Sequence, residues 1–153
     1  MGVSVTISHA LLTIVAITLA VSLAIAVLSQ LSIVLNTISI SVKQRSDSLR
    51  TIIAITNAYY DSANSKFHIF AKNIGDIPYS DLENIDVYIG SAGGALDFYN
   101  ISTNNITEYN VADGVWSPGE TIEIVIETTK TYDPPYEVKI VLSNGVSETY
   151  VFS

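Results

Sequence analysis

The sequence contains no cysteine, and no Asp, Glu, Lys or Arg precedes Lys43. Without cysteine the fold has no disulfide, no thiolate metal site and no thiol nucleophile. All 22 charged side chains, 7 basic and 15 acidic, lie between Lys43 and Glu148. The chain therefore has two physically different parts, residues 1–50 and residues 51–153.

Basic residues are few in the second part. Residues 51–153 carry four lysines against fourteen acidic side chains, a formal charge of −10, whereas residues 1–50 carry +2. Binding of nucleic acid depends on clustered Lys and Arg side chains that neutralise phosphates. The acidic surface therefore excludes DNA and RNA as partners.

Signatures of catalysis are also missing. The sequence has no GxSxG, P-loop or dinucleotide fingerprint. Its two histidines, His9 and His68, lie in different parts and lack the spacing of metal ligands. One acidic cluster lacks the pattern of a calcium loop, and we interpret it as solvated turn residues; it consists of Asp76, Asp81, Glu83 and Asp86. We expect no catalytic residue, no metal and no cofactor, and therefore no enzyme.

A long apolar run occupies residues 10–28, where Thr13, Thr18 and Ser22 are the only polar residues. As a helix this run rises about 28 Å, close to the ~30 Å thickness of membrane hydrocarbon. Ser and Thr hydroxyls are tolerated there because they bond to carbonyls of their own helix. A cleavable secretory signal begins with basic residues and has a shorter apolar run. The run therefore predicts a retained, membrane-compatible helix.

Beyond residue 28, apolar residues recur in steps of three and four, which is the spacing of a seam between two helices. The helix seam consists of Leu28, Leu31, Leu35, Ile38 and Val42. Two interpretations remain open. Residues 29–50 form a stalk beyond the membrane, or the seam packs against identical helices in a filament. A helix continuous to about residue 50 would be about 70 Å long, more than a bilayer requires.

Two features give opposite indications of membrane topology. Lys43, Arg45 and Arg50 follow the apolar run, and the positive-inside rule would place them in the cytoplasm. Asn100 and Asn105 each begin an N-glycosylation sequon, which is used only outside the cytoplasm. The basic residues begin about 20 Å of helix past the apolar run, where their influence on topology weakens. We therefore expect the second part to lie outside, with Asn100 and Asn105 as glycan acceptors.

From about residue 51 the hydrophobic period changes to two, which is typical of half-buried strands. Ile122, Ile124 and Ile126, for example, alternate with Glu123 and Val125. Such runs predict seven strands, near residues 52–60, 66–73, 85–90, 95–101, 121–129, 136–143 and 146–152. Seven short strands in about 100 residues are typical of an immunoglobulin-like β-sandwich. We therefore predict an α+β chain in which one long N-terminal helix precedes an all-β sandwich.

Turn residues and charges refine this prediction. Asn144-Gly145 predicts a two-residue hairpin, because both residue types tolerate a positive φ. The strand at 122–126 is flanked by Glu120, Glu123 and Glu127, whose charges disfavour pairing with another molecule at a sheet edge. We expect this strand to be central or guarded.

Three segments resemble the archaellin superfamily: the N-terminal MGVSVTISHALLTIVAITLAVSLAIAVLSQ, then AKNIGDIPYS, then WSPGETIEI. The Asn-x-Gly turn is similar to the first hairpin region of those domains, and Pro-Gly-Glu is similar to their recurrent strand entry. In size the chain resembles the accessory archaellum proteins F and G, with G favoured on length, more than a major archaellin. Archaellins and archaeal pilins carry Lys or Arg before the Gly of their processing site, whereas Gly2 here follows Met1. We therefore expect a retained anchor.

The resemblance implies an immunoglobulin-like domain outside the cytoplasmic membrane, self-association or pairing of F with G, and contact with the surface layer. Our first hypothesis is therefore a structural accessory subunit of the archaellum that links the motor to the cell envelope. The second is a filament subunit, a minor archaellin or an adhesive pilin, whose apolar helices form the filament core. The third is a membrane-tethered module that binds a surface glycan or protein.

The uncharged run makes a first prediction about solubility. A helix without a charge up to Val42 cannot remain hydrated as a monomer. We expect the full chain to fractionate with membranes or with sedimenting filaments, and residues 44–153 alone to remain in the supernatant after ultracentrifugation. A full chain that is soluble and monomeric in detergent-free buffer would contradict the anchor.

Overall fold

A computed structural model describes the backbone of residues 2–153 and the side chains from Ile7 onward. A single helix, α1, spans Gly2–Arg50. The chain divides into two compact units, one ending at Lys43 and the other comprising Gln44–Ser153. The C-terminal end of α1 therefore belongs to the same unit as the strands that follow it. By length and composition, α1 is the one helix among the described residues that could cross a membrane.

Hydroxyl groups within the apolar run are bonded to their own helix, as predicted. The hydroxyl of Thr13 donates to the carbonyl of His9, that of Thr18 to the carbonyl of Ile14, and that of Ser22 to the carbonyl of Thr18, each at a distance of 2.8 Å. These bonds leave no free hydroxyl donor at the three positions, which lowers the cost of placing them in an apolar solvent.

Eight antiparallel strands follow α1 within the described residues. They are β1 (Ile53–Asp61), β2 (Lys66–Asn73), β3 (Asp86–Ser91), β4 (Asp97–Asn100), β5 (Ile106–Glu108), β6 (Thr121–Glu127), β7 (Tyr136–Val141) and β8 (Ser147–Phe152). The first sheet has the order β1-β2-β6-β5, and the second sheet has the order β4-β3-β7-β8. Short 3-10 turns at Leu82–Asn84 and Thr103–Asn105 lie in the connections.

This arrangement is a β-sandwich with immunoglobulin-like strand order. With the strands lettered in chain order, the first sheet is A-B-E-D, and the second is C-F-G with one added strand beside C. The predicted sandwich and the central position of β6 are confirmed. The predicted count of seven strands is wrong by one, because β5 has three residues, too few to show an alternating pattern.

The hydrophobic core lies between the two sheets. On β2 the side chains of Phe67, Ile69 and Ala71 are buried, and their outward-facing neighbours are half-buried. The second sheet contributes buried Val and Ile side chains, which are Val87, Ile89, Val138 and Ile140. Trp116, which lies outside the strands, is completely buried. The period-two pattern therefore identified the core faces correctly.

The edge strands of the sandwich are poorly suited to pairing with another chain, because β1 is bulged and because β4 and β5 have only four and three residues. On one side β1 lies against β8, and β1 carries a bulge between Ile55 and Asn57. On the other side the segment 101–105 passes from β4 to β5 and so connects the two sheets. Bulges and short edge strands both oppose strand addition by another chain. The two outer sheet faces are therefore the surfaces best suited to association.

The buried side chain of Asn73, at the end of β2, joins three segments. Its amide nitrogen donates to the carbonyls of Ile77 (3.0 Å) and Trp116 (2.9 Å), and its amide oxygen accepts the backbone N–H of Gly75 at 3.0 Å. Its backbone carbonyl accepts the N–H of Gly119 at 2.7 Å. Asn73, Gly75 and Trp116 are buried, so their bonds are needed to avoid buried unpaired polar groups.

The Trp116-to-Glu120 segment is held in a similar way. The indole N–H of Trp116 donates to the carbonyl of Glu120 at 2.9 Å. The Glu120 carboxylate is buried (3 % exposed) and accepts the backbone N–H groups of Ser117 (2.9 Å) and Val111 (3.2 Å). Glu120 is therefore a structural residue of this turn and does not act as a surface charge guarding β6, which corrects part of our expectation.

The end of α1 is bonded to the loop after β2. The carbonyl of Arg50 accepts the N–H of Asp76 at 3.0 Å, and the carbonyl of Ile52 accepts the N–H of Ile74 at 2.9 Å. A Cβ atom at Gly75 would overlap the Arg50 carbonyl oxygen and lie 2.6 Å from the nitrogen of Ile52. This close approach requires glycine at position 75.

The same helix end is bonded to the β7–β8 hairpin. Ser48 donates to the carbonyl of Asn144 at 2.6 Å, and the Asn144 amide donates to the hydroxyl of buried Thr51 at 3.0 Å. Thr51 in turn donates to the carbonyl of Asp47 at 2.8 Å. Two loops of the sandwich thus hold the last turn of α1.

The β7–β8 hairpin forms where it was predicted, but with a different turn. Leu142 and Val146 are bonded across a three-residue loop, and Gly145 donates to the Leu142 carbonyl at 2.9 Å. Of the Asn144-Gly145 pair only Gly145 has a positive φ, +85°. This geometry corresponds to a three-residue hairpin ending in a left-handed glycine. The predicted two-residue turn is wrong, and Asn144 instead uses its side chain to contact the helix end.

The buried amide of Asn73 predicts a large effect on stability. Asn73→Ala leaves two carbonyls and one N–H without their partner, each at a cost of about 1–3 kcal/mol. We expect residues 44–153 to lose about 3 kcal/mol or more in free energy of unfolding, measured by urea denaturation with Trp116 fluorescence.

Asn104→Ala, in an exposed turn of the same domain, is the matched control, and we expect it to change stability by less than about 0.5 kcal/mol. A loss below about 1 kcal/mol for Asn73→Ala would show that this side chain does not hold the three segments together.

Candidate interaction surfaces

The helix seam is an exposed apolar stripe on α1. Its five residues are between 51 % and 64 % exposed, and they are Leu28, Leu31, Leu35, Ile38 and Val42. Their spacing on a continuous helix places them along one stripe. Packing of this stripe against identical helices stays a prediction.

A row of aromatic side chains crosses the outer face of the first sheet. This aromatic strip consists of Tyr59, His68, Phe70 and Tyr109. Tyr59 stacks on His68 with ring centres 4.7 Å apart, and it lies 6.2 Å from Phe70, which lies 6.0 Å from Tyr109. Tyr59 is 44 % exposed and Tyr109 is 54 % exposed. Exposed Tyr side chains arranged in this way are typical of protein-binding surfaces.

Glu123 of β6 links two residues of the aromatic strip. One carboxylate oxygen lies 2.7 Å from Nδ1 of His68, and the other accepts the Tyr109 hydroxyl at 2.6 Å. Burial raises the pKa of Glu123, but hydrogen bonds from Tyr109 and His68 outweigh it and hold that pKa below its usual value. The bond to Glu123 is also the main reason that the pKa of Tyr109 is raised. Glu123 therefore orients both rings while it is ionised.

A second, smaller aromatic pair lies on the outer face of the second sheet. Phe98 of β4 pairs with Tyr88 of β3 in the strand register, and their ring centres are 5.4 Å apart. Phe98 is 54 % exposed. The sandwich thus presents aromatic side chains on both outer faces.

The two predicted glycan acceptors have different surroundings. Asn100 is exposed at the end of β4. Asn105 is half-buried, its amide nitrogen donates to the carbonyl of Val125 at 3.1 Å, and its amide oxygen accepts both the N–H and the hydroxyl of Ser102 at 3.0 Å. Use of either sequon stays a prediction.

The residues considered for chemistry are not brought together into a metal site. His9 lies on α1 and His68 on β2. No group of three or more His, Cys, Asp or Glu side chains that could hold a metal occurs in the described part of the chain. Within the acidic cluster, Asp81 accepts bonds from the hydroxyl of Ser143 and the amide of Asn84, both at 2.6 Å, and these lower its pKa.

Sequence reasoning did not identify the aromatic strip. The alternation on β2 did place His68 and Phe70 on the outward face, and this was the available signal. Tyr109 lies just beyond β5, the strand that was not predicted, and Tyr59 meets His68 only through the register of β1 with β2. The strip depends on strand pairing that a single sequence does not reveal.

The fold defines a class of protein in which an immunoglobulin-like domain follows a long apolar helix. The chain belongs to the archaeal-type flagellin family, whose sequence profile matches residues 2–152. No curated protein sequence matches it. The family is one of structural proteins of the archaellum.

Solved structures agree with this assignment. The chain is 26 % identical to the archaellum periplasmic stator protein FlaG from Sulfolobus acidocaldarius, with a TM-score of 0.54, covering 67 % of this chain and 99 % of that one. A chain of the archaellum periplasmic stator protein complex of FlaF and FlaG from the same organism gives 26 % identity and a TM-score of 0.53, covering 65 % of this chain and 87 % of that one. The archaeal flagellum of Methanospirillum hungatei strain JF1 shares the fold at 12 % identity, with a TM-score of 0.61 and coverage of 94 % and 90 %. The chain is a structural component of the archaellum.

The lowered pKa of Glu123 predicts a dependence of stability on pH. A carboxylate whose pKa is lower in the folded state stabilises the fold above its unfolded pKa, near 4.5, and this contribution is lost as the pH falls through the folded value. We expect Glu123→Gln to cost residues 44–153 about 1–2 kcal/mol at pH 7, and to flatten the loss of stability below pH 4.5. Urea denaturation at pH 7 and at lower pH values measures both effects.

Glu127→Gln, at the exposed end of the same strand, is the control and should leave the loss of stability below pH 4.5 unchanged. An equal effect of the two substitutions would mean that Glu123 contributes only general surface charge.

Proposed function

We propose that this chain is an accessory stator subunit of the archaellum. In this proposal α1 anchors the chain in the cytoplasmic membrane, and the sandwich lies outside, where it links the motor to the cell envelope and the surface layer. The role is mechanical, with no catalysis and no cofactor. The observation that carries the proposal is the exposed aromatic strip, which lies on the sandwich and not on the helix.

The aromatic strip is suited to recognition of a partner domain. Two half-exposed tyrosines bracket a half-buried His and Phe, so a partner can cover apolar area without ordering flexible side chains. Glu123 fixes the rings of His68 and Tyr109 before binding, which reduces the entropy lost on association. Because the edge strands are bulged or short, association through this face is favoured over strand addition.

Similarity to FlaG supports the choice of partner. FlaG is described as a periplasmic stator protein, and it is found in a complex with FlaF. The similarity covers 99 % of the FlaG chain. We therefore propose a FlaF-type protein, or a second copy of this chain, as the partner of the aromatic strip.

The proposed outside location is supported by the sequons and by the distance of the basic residues from the apolar run. Arg50 is bonded through its carbonyl to the loop after β2, and Lys43 and Arg45 lie close before it in sequence. These residues therefore lie on the same side of the membrane as the sandwich. Lying about 20 Å of helix past the apolar run, they have reduced influence on topology, whereas the sequons favour the outside.

A filament subunit is the second candidate, and the exposed helix seam favours it. Buried in a filament core, the five seam residues would lose their contact with water. The third candidate, a tethered module that binds a surface glycan or protein, would use the same aromatic strip with a different partner. The three differ in which surface is needed for assembly.

Assembly of the isolated domain separates these functions. We expect residues 44–153 to self-associate or to bind a FlaF-type domain from the same organism, measured by size exclusion with light scattering at two concentrations. Tyr59→Ser with Tyr109→Ser should weaken this binding at least about tenfold, because two aromatic anchors are removed. Phe98→Ser removes an equally exposed ring from the other sheet and should have no effect.

In the full chain, Leu31→Ser with Leu35→Ser tests the seam. The accessory role predicts that partner binding survives this change, whereas a filament role predicts that assembly is lost. A domain that stays strictly monomeric and inert toward its partner would overturn the accessory role.

A further inference from the structure

We propose that Asn100 carries an N-linked oligosaccharide whose first sugar packs on Phe98, and that Asn105 is a structural residue which remains unmodified. This inference rests on the external location in the proposed function. It distinguishes two sequons, Asn100-Ile101-Ser102 and Asn105-Ile106-Thr107, that both match the sequence pattern.

Both the nitrogen and the oxygen of the Asn105 side-chain amide are hydrogen-bonded within the fold. Its nitrogen, the atom that glycosylation would modify, is bonded to the backbone of β6 at Val125. Its oxygen accepts two bonds from Ser102 and completes a capping box on the short turn Thr103–Asn105. For a transferase to reach this half-buried nitrogen, the side chain would first have to leave the Val125 carbonyl and the cap.

Asn100 has the opposite environment. It is exposed at the last position of an outer strand, and its side-chain amide makes no hydrogen bond among the described residues. In the register it lies opposite Asp86 on β3, with its side chain on the outer face, so nothing in the core has to move. The Ser102 hydroxyl that completes its sequon is also on an exposed residue.

Phe98 provides the second, independent observation. Residues 98 and 100 are two apart on one strand, so their side chains point to the same face about 7 Å apart. Phe98 is 54 % exposed and is supported from one side by Tyr88 at 5.4 Å. A sugar ring presents C–H groups that are attracted to the electron-rich face of an aromatic ring. An exposed ring beside an exposed acceptor is therefore a platform for the first sugar.

The modification requires a sugar donor and a membrane glycosyltransferase. The donor is an oligosaccharide whose anomeric carbon is bonded to the phosphate of a lipid carrier. The new bond joins Nδ2 of Asn100 to that anomeric carbon while the carbon–oxygen bond to the phosphate breaks. The lipid phosphate leaves with the electron pair, and one Nδ2 proton is transferred to a base of the transferase. No oxidant or reductant is involved.

Glycopeptide mass spectrometry of the full chain from its archaeal host tests the inference. We expect glycan on Asn100 and none on Asn105. Asn100→Gln should abolish the glycan, and Asn105→Gln should retain it at Asn100. Glycan on Asn105 would overturn the inference alone. An unmodified Asn100 would also overturn it alone if protease added to intact cells cleaves the domain, because the domain is then external. A domain that protease does not reach would overturn the external location together with it.

The role of Phe98 has its own readout. We expect protein from the archaeal host to unfold about 3 °C above the same chain from a host that adds no N-glycan, because the sugar packs on the ring. Phe98→Ala should remove this difference, and Phe98→Tyr should retain it. A difference that persists in Phe98→Ala would show that the sugar does not pack there.

Discussion

The structure of the unit Gln44–Ser153 depends on the hydrogen bonds of one buried side-chain amide, that of Asn73. This amide binds the turn after β2 on one side and the Trp116 segment on the other, which is 43 residues away in sequence. These are the two segments, AKNIGDIPYS and WSPGETIEI, that resemble the archaellin superfamily. The turn fixed by Asn73 brings Gly75 against Arg50 and Ile52, so the same side chain also positions the loop that holds the end of α1. The position of the helix end relative to the strands therefore depends on this one side chain.

The edge strands of the sandwich limit how the domain can interact. With β1 bulged and with β4 and β5 short, the exposed backbone that usually invites strand pairing is reduced. The remaining surfaces are the outer faces, and they are chemically different. The first sheet carries the aromatic strip around Glu123, and the second carries Phe98 with Asn100. Because the two faces point in opposite directions, a glycan on one leaves the other free for a protein partner.

Local pattern in the sequence was sufficient for the helix, the sandwich and the core faces, because each depends on residue spacing. The apolar run to Val42 and the alternation on β2 and β6 are signals of this kind. Features that depend on contacts between distant residues could not be predicted. The sequence pattern predicted Glu120 to be a surface charge, but its carboxylate is buried and accepts hydrogen bonds from two backbone N–H groups. Asn105 matched the same sequon pattern as Asn100, although its amide is bonded to a strand that lies twenty residues further along. The aromatic strip needed the register of β1, β2 and β6, which is set only when the sandwich forms.

The central claim is that the sandwich acts beside the archaellum motor at the cell envelope and is not a repeating unit of the filament. Immunogold labelling of intact, archaellated cells with antibody raised against residues 44–153 tests it directly. An accessory stator subunit predicts gold particles on the cell surface at the base of each archaellum, with shed filaments unlabelled. Regular labelling along the filament would contradict the claim.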